Sequence, residues 1–219
     1  MLGGRSTIDM AGLAGLVVVF LCLPAGVSSA DLYEHSFKRI SDNSVADVSS
    51  QLSVDIVDAG SNQVVFTFHN SGAVAQHAVI ADIYFDDRRG LLLSLDAILD
   101  RDYSKQQYPG VDFDTPARPL NLPGGKSLDP AFNVTRGLSF DADNPSPKWG
   151  IGAGESLSLR FNVADSGLDA ILSVIQTVDF RIGLHVQCLP NRFCNDRYMG
   201  TSASDGFVTT TPVPDAVVL

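Results

Sequence analysis

The sequence predicts an antiparallel β-sandwich, jelly-roll or immunoglobulin-like, carrying one short docked helix. Three observations lead there. Apolar and polar residues alternate with a period of two over most of the chain after residue 30. The alternating runs are separated by polar turns rich in glycine and proline. Only one segment has the period of a helix, so there is no βαβ rhythm and no reason to expect a parallel sheet.

The first thirty residues stand apart from this pattern. Arg5 lies in a short polar leader, residues 13–23 are almost wholly apolar, and Val27-Ser28-Ser29-Ala30 supplies small residues ahead of Asp31. That layout is a secretory signal peptide, residues 1–30, with cleavage expected after Ala30. Its apolar stretch is shorter than the roughly 20 residues that span a bilayer as a helix, so no membrane span is expected in the mature chain. Leu21 is too bulky for the position before Cys22 that a lipoprotein would need.

The elements follow in order. Leu52, Val54 and Ile56 alternate with Ser53 and Asp55, and Val64, Phe66 and Phe68 with Val65, Thr67 and His69. Asn70-Ser71-Gly72 then reads as a turn. Val79, Ala81, Ile83 and Phe85 share one face of the next strand, and Ile80, Asp82 and Tyr84 the other, which fits a central strand. Asp86 and Asp87 close it. Adjacent carboxylates are costly to bury, so both are expected to leave the sheet for water or a cation. After the turn Arg88-Arg89-Gly90, residues 91–98 are apolar enough for a buried strand, with a short helix to Leu99 as the alternative.

Residues 100–110 are polar and without period. Between residues 116 and 130 lie four prolines and the pair Gly124-Gly125, which cannot hold a continuous ladder. Residues 132–140 are expected to resume as a strand, and 141–154 to form a turn region around Trp149. Leu157, Leu159, Phe161 and Val163 alternate with Ser156, Ser158, Arg160 and Asn162 in the clearest strand of the chain. Asp165 or Ser166 can cap a helix whose Leu168, Ile171, Leu172 and Ile175 fall on one face. Phe180, Ile182, Leu184 and Val186 return to strict alternation, and Phe207-Val208 adds a last short strand. The sandwich domain is thus assigned to residues 31–208 and a disordered Thr- and Pro-rich tail to 209–219.

Composition narrows the partners. The formal charge of −10 argues against nucleic acid or an anionic membrane surface, since both need a basic patch. Two cysteines follow the leader, Cys188 and Cys194. In an oxidising compartment a pair this close is expected to form a disulfide, and no histidines flank it at zinc-ligand spacing.

Candidate chemistry is sparse. Asp86 and Asp87, with Asp82, Asp141 and Asp143, are candidate oxygen ligands for calcium, which takes six to eight; the alternative is that they cap turns. No EF-hand loop accompanies them. His69 and His185 fall on polar strand faces and would meet only if their strands pair. Gly-x-Ser-x-Gly is absent. Tyr84, Tyr103, Tyr108, Trp149 and Tyr198 are the residues that would stack on sugars, although Trp149 between Pro147 and Gly150 equally suits a plug at the end of the core. Asn133-Val134-Thr135 is a glycosylation sequon.

Several motifs in series carry a family resemblance: Ile80 to Asp87, Gly110-Val111-Asp112-Phe113, Asn121-Leu122-Pro123-Gly124-Gly125, Phe140-Asp141-Ala142-Asp143, Gly152-Ala153-Gly154-Glu155, Arg181 to Gln187, and Ser204-Asp205-Gly206-Phe207-Val208. Over residues 50–214 the chain resembles secreted bacterial proteins that end in a PEP-CTERM sorting tag. The resemblance implies export, a place at the cell surface or in the extracellular matrix, and no established activity. The chain departs from that pattern at Val213-Pro214-Asp215-Ala216, where Val-Pro-Glu-Pro would stand. It also stops at Leu219 without the apolar span and basic cluster, so the expectation is either a truncated sequence or a released protein.

The function expected from the sequence is therefore that of a secreted, non-catalytic surface or matrix protein, with extracellular polysaccharide as the partner to test. A carbohydrate-binding module, with calcium as its candidate cofactor, is the alternative, and a secreted hydrolase the third reading. Binding would show as an exposed aromatic platform or concave sheet face, hydrolysis as a cleft with convergent carboxylates.

Overall fold

A computed structural model describes residues 32–99, 110–144, 147–164, 167–175, 177–190 and 203–209. The strands are β1 (Tyr33–Arg39), β2 (Leu52–Gly60), β3 (Gln63–Asn70), β4 (Val79–Asp87) and β5 (Leu92–Leu99). They continue with β6 (Phe113–Asp114), β7 (Ser139–Ala142), β8 (Glu155–Val163), β9 (Phe180–Leu189) and β10 (Ala203–Thr209), and the helix α1 spans Gly167–Val174. All neighbouring pairs are antiparallel, in the order β5-β8-β3-β2-β1-β10-β9-β4-β7-β6.

This ribbon of ten strands folds over so that its halves face each other. The hinge is β1, whose residues 33–36 pair with β2 and 37–39 with β10. The first sheet is therefore β5-β8-β3-β2 with the start of β1, and the second is the end of β1 with β10-β9-β4-β7-β6. Rings from both meet in the core: Phe66 and Phe161 of the first sheet lie 5.4 and 5.3 Å from Phe85 of the second, edge to face. The predicted alternation of β8 holds, and its four inward side chains are all buried. Their burial contributes roughly 6–12 kcal/mol as an upper transfer estimate.

The second sheet is covered on its outer face as well. Residues 115–134 lie across it as a third layer, and Ala117, Leu122 and Phe132 pack with Tyr84 and Val208 in a second small core. The layer sits very close. A Cβ on Gly206 would stand 1.9 Å from the Pro123 carbonyl oxygen, and one on Gly183 would stand 2.6 Å from a Leu122 methyl carbon. Only residues without a side chain let the prolines and glycines of the cap rest on the strands. This is why β4 is buried on both faces from Ile80 onward.

Three expectations are corrected. The strand expected over residues 91–98 forms as Leu92–Leu99, but it is not buried: among the described residues it is the edge of the first sheet, paired only to β8. Register shifts near Leu93 and Asp96 bulge it, and Leu93 is 62% exposed. Its apolar run reflects partial packing of Leu91, Leu95 and Ile98 on the rim of the core, and the bulges blunt a free edge. Of residues 132–140 only the end is strand, because Phe132 turns into the second core and Gly137 takes a positive φ of 82°. The strand then runs on through Asp141 to Ala142, inside the segment expected as a turn.

The helix buries Ile171, Val174 and Ile175 and leaves Leu172 half-buried. Gly167 opens it so tightly against β8 that a Cβ there would stand 2.3 Å from Val163. The caps expected at Asp165 and Ser166 lie outside the described residues, as do the leader with Ala30, Tyr103, Tyr108, Tyr198, Cys194 and residues 210–219.

Candidate functional site

The candidate site begins at the end of β4, where Asp86 and Asp87 stay in the sheet. This corrects the expectation that they reach water: Asp86 is 1% exposed and Asp87 5%. Alternation sends them to opposite faces. Asp86 points outward beneath the cap and accepts hydrogen bonds from Arg181, from Arg88 at 3.3 Å and from the Asn133 backbone N–H at 3.2 Å. Arg181 in turn donates to the carbonyls of Pro130 and Ala131, at 2.9 and 2.8 Å, and lies over the Phe132 ring. Arg88 also donates to Ala131 O, at 2.7 Å. The burial cost is met by two guanidinium groups, and the carboxylate becomes the counter-ion of a clamp that pins the cap to the sheet.

Asp87 serves the other side. Its Oδ2 accepts the Leu92 N–H at 2.8 Å and closes the β4–β5 turn, while its own N–H donates to Thr135 Oγ1 at 2.8 Å. Its Oδ1 is buried without a partner. These residues do not fit a calcium site: both Asp86 oxygens are held by cationic donors, and Asp87 faces the opposite side. Among the described residues no three His, Cys, Asp or Glu side chains are grouped to hold a metal.

A second polar row crosses the outer face of the same sheet. Asp114 of β6 faces Asp141 of β7, which faces Asp82 of β4, which faces His185 of β9. His185 Nδ1 hydrogen-bonds Asp82 Oδ2 at 2.6 Å. The carboxyl of Asp141 is held above the usual carboxylate range, first by burial and then by the negative charges of Asp82 and Asp114, against a hydrogen bond from the Arg118 N–H. Tyr84 lies at the inner end of this row, fully buried, with its hydroxyl donating to Pro119 O at 3.1 Å. Burial and the neighbouring carboxylates push its phenol far above the ordinary value. The row meets the start of the cap and fastens it.

The remaining candidates scatter. His69 and His185 do not meet: His69 pairs with Asp55 at 2.9 Å on the outer face of the first sheet. Asp143 is exposed. Trp149 packs against the core, as the plug reading had it, with the Lys148 ammonium 5.1 Å from its ring centre. Tyr84, sealed under the cap, is no stacking surface. Cys188 sits half-buried in a bulge of β9 with φ 56°; its expected partner is outside the described residues.

One group escaped the sequence reading. Asp205 is fully buried and accepts from Ser41 Oγ and the backbone N–H groups of Asn43 and Ser44, at 2.8, 2.8 and 3.1 Å. It ties the chain after β1 to β10. Its neighbour Gly206 was visible only as part of a motif, since nothing local announces a carbonyl pressing on it.

The outer face of the first sheet carries no such cover among the described residues. Its side chains link across strands: Thr67 to Ser158 at 2.8 Å, Gln63 to Asn162 at 3.0 Å, Asn162 to Ser94 at 3.0 Å and Arg160 to Asp96 at 2.6 Å. No aromatic residue stands on this face along β2, β3 or β8. A hollow of about 210 Å³ lies between the β2–β3 turn and the start of α1, and there Asp58 accepts the Gly60 N–H at 2.7 Å.

Among the described residues no helix is long and apolar enough to cross a membrane. Set against protein-family models, curated proteins and solved structures, the chain matches none of them.

Proposed function

We propose that this chain is an exported, non-catalytic protein of the cell surface or extracellular matrix, of the kind its motifs resemble. The observation that carries the reading is the employment of the buried carboxylates. Asp82, Asp86, Asp87 and Asp205 each hold a strand, a turn or the cap in place through a hydrogen bond, the one on Asp86 coming from Arg181. A group so committed contributes to architecture, and moving it for acid–base work would release the element it holds.

The motifs support the reading in another way. Leu122 and Pro123 rest on Gly183 and Gly206, so three of the resemblance motifs meet at one contact. They serve the scaffold. Export supplies the oxidising compartment in which Cys188 and Cys194 would pair, and non-reducing peptide mapping that found two free thiols would overturn that pairing.

The test is expression of the full chain in an exopolysaccharide-forming bacterium, followed by fractionation. The protein should be found in the surface and matrix fractions with Asp31 at its N-terminus. A cytoplasmic protein beginning at Met1 would refute the proposal. A carbohydrate-binding role is the second reading; β2, β3 and β8 present no aromatic platform, and what favours it is the polar outer face of the first sheet, which carries no cover among the described residues.

A further inference from the structure

Resting on the surface-protein reading, we infer that the outer face of the first sheet is a binding surface for an uncharged, hydroxyl-rich polysaccharide. The two outer faces differ. The second sheet's is sealed by the cap; the first sheet's is half-buried rather than protruding, with hydroxyl and amide side chains in register across neighbouring strands. Thr67 stands opposite Ser158, and Gln63 opposite Asn162, which faces Ser94.

The chemistry of these groups selects the ligand. A hydroxyl has one donor and two acceptor sites, and an amide two of each, so the single bonds Thr67–Ser158 and Gln63–Asn162 leave both rows with capacity to spare. Those same bonds hold the rotamers, so less side-chain freedom is lost when a ligand arrives. The basic side chains on the face are engaged: Arg160 by Asp96 and the His69 ring by a hydrogen bond with Asp55. An anionic polymer finds no unpaired cation along β3 or β8, in a chain of net charge −10. A protein partner would want an apolar centre, and Val57 and Val65 are the apolar pair facing outward mid-sheet. A polymer of sugar hydroxyls matches donors and acceptors laid out in rows about 4.8 Å apart across the strands.

The experiment is native affinity electrophoresis of the full exported chain in gels containing dextran, a soluble β-glucan or galactomannan, with alginate as the anionic comparison. Retardation by at least one neutral polymer is expected, with none by alginate. The double variant Thr67→Val, Ser158→Val keeps strand-forming side chains and should weaken that retardation about tenfold, corresponding to the loss of one to two hydrogen bonds. An unchanged melting temperature shows that the variant is folded; if it melts early, Asn162→Asp, which removes an amide donor pair, replaces it with the same expectation. Migration unaffected by every neutral polymer, retardation by alginate alone, or a folded variant that binds as well as wild type would each overturn the inference. Those outcomes leave the fractionation test of the surface reading standing, so the two fail separately.

Discussion

Gly206→Ala tests the three-layer architecture at its tightest point. The new Cβ would stand 1.9 Å from the Pro123 carbonyl oxygen, where ordinary contact begins near 3.4 Å, so the cap must move outward by more than an ångström. The obstacle is backbone and cannot rotate away. Beneath it lies the small core of Ala117, Leu122, Phe132, Tyr84 and Val208. Overpacking costs about 1–3 kcal/mol, and part of the roughly 3–6 kcal/mol from burying Leu122 and Phe132 is lost as the layer lifts. A total near 3 kcal/mol corresponds to a fall of about 6–12 °C in Tm for a domain of this size. Thermal melts should show it. Limited proteolysis should show new cuts within residues 115–134, while the Tyr84 phenol, freed from burial, titrates closer to its ordinary value. Gly60→Ala is the comparison, because nothing lies within 4 Å of a Cβ there and only its φ of +73° resists the change, at about 1 kcal/mol. Gly206→Ala melting with wild type and resisting protease would refute the close-packed cap.

Further outcomes follow from the buried charges. Asp86→Ala strips the counter-ion from the buried Arg181, and should cost about 3–5 kcal/mol. The loss in melting temperature should be equal in calcium and in chelator; a loss seen only in calcium would restore the metal-site expectation. His35 is 2% exposed, both its ring nitrogens lack partners, and burial lowers its pKa. Its neutral form favours folding, so this contribution is complete above about pH 6.5 and is lost as pH falls through the lower folded value. His35→Leu should match or exceed wild type by about 1 kcal/mol at pH 7.5 and show a shallower loss at pH 5 in urea titrations; parallel pH curves would count against it. Asp141, whose carboxyl is raised, is penalised when ionised. Asp141→Asn should gain about 0.5 kcal/mol at pH 7, a value discounted for exposure, and nothing near pH 3, where both forms are neutral; a gain that persists in acid would contradict the like-charge account.

Local chemistry determined much of this protein. The alternation in β2, β3, β8 and β9 marks their inward faces because a period of two and one buried side leave a single register that keeps Leu157, Leu159, Phe161 and Val163 out of water. The helix was legible in the spacing of Ile171 and Ile175, and the broken ladder between residues 116 and 130 in its prolines. The fate of Asp86 and Asp87 was decided elsewhere. A sequence states that two carboxylates are adjacent and that Arg88 is near, but the second guanidinium that holds Asp86 in the sheet comes from Arg181, 95 residues away. The position of β5 at the edge of the described sheet likewise depends on which strands pair with it, and nothing within Leu92–Leu99 encodes that. Gly183 and Gly206 look like weak points in strands until the cap is laid across them. Desolvation, pairing and close approach are properties of what surrounds a residue, so only the tertiary structure fixes them.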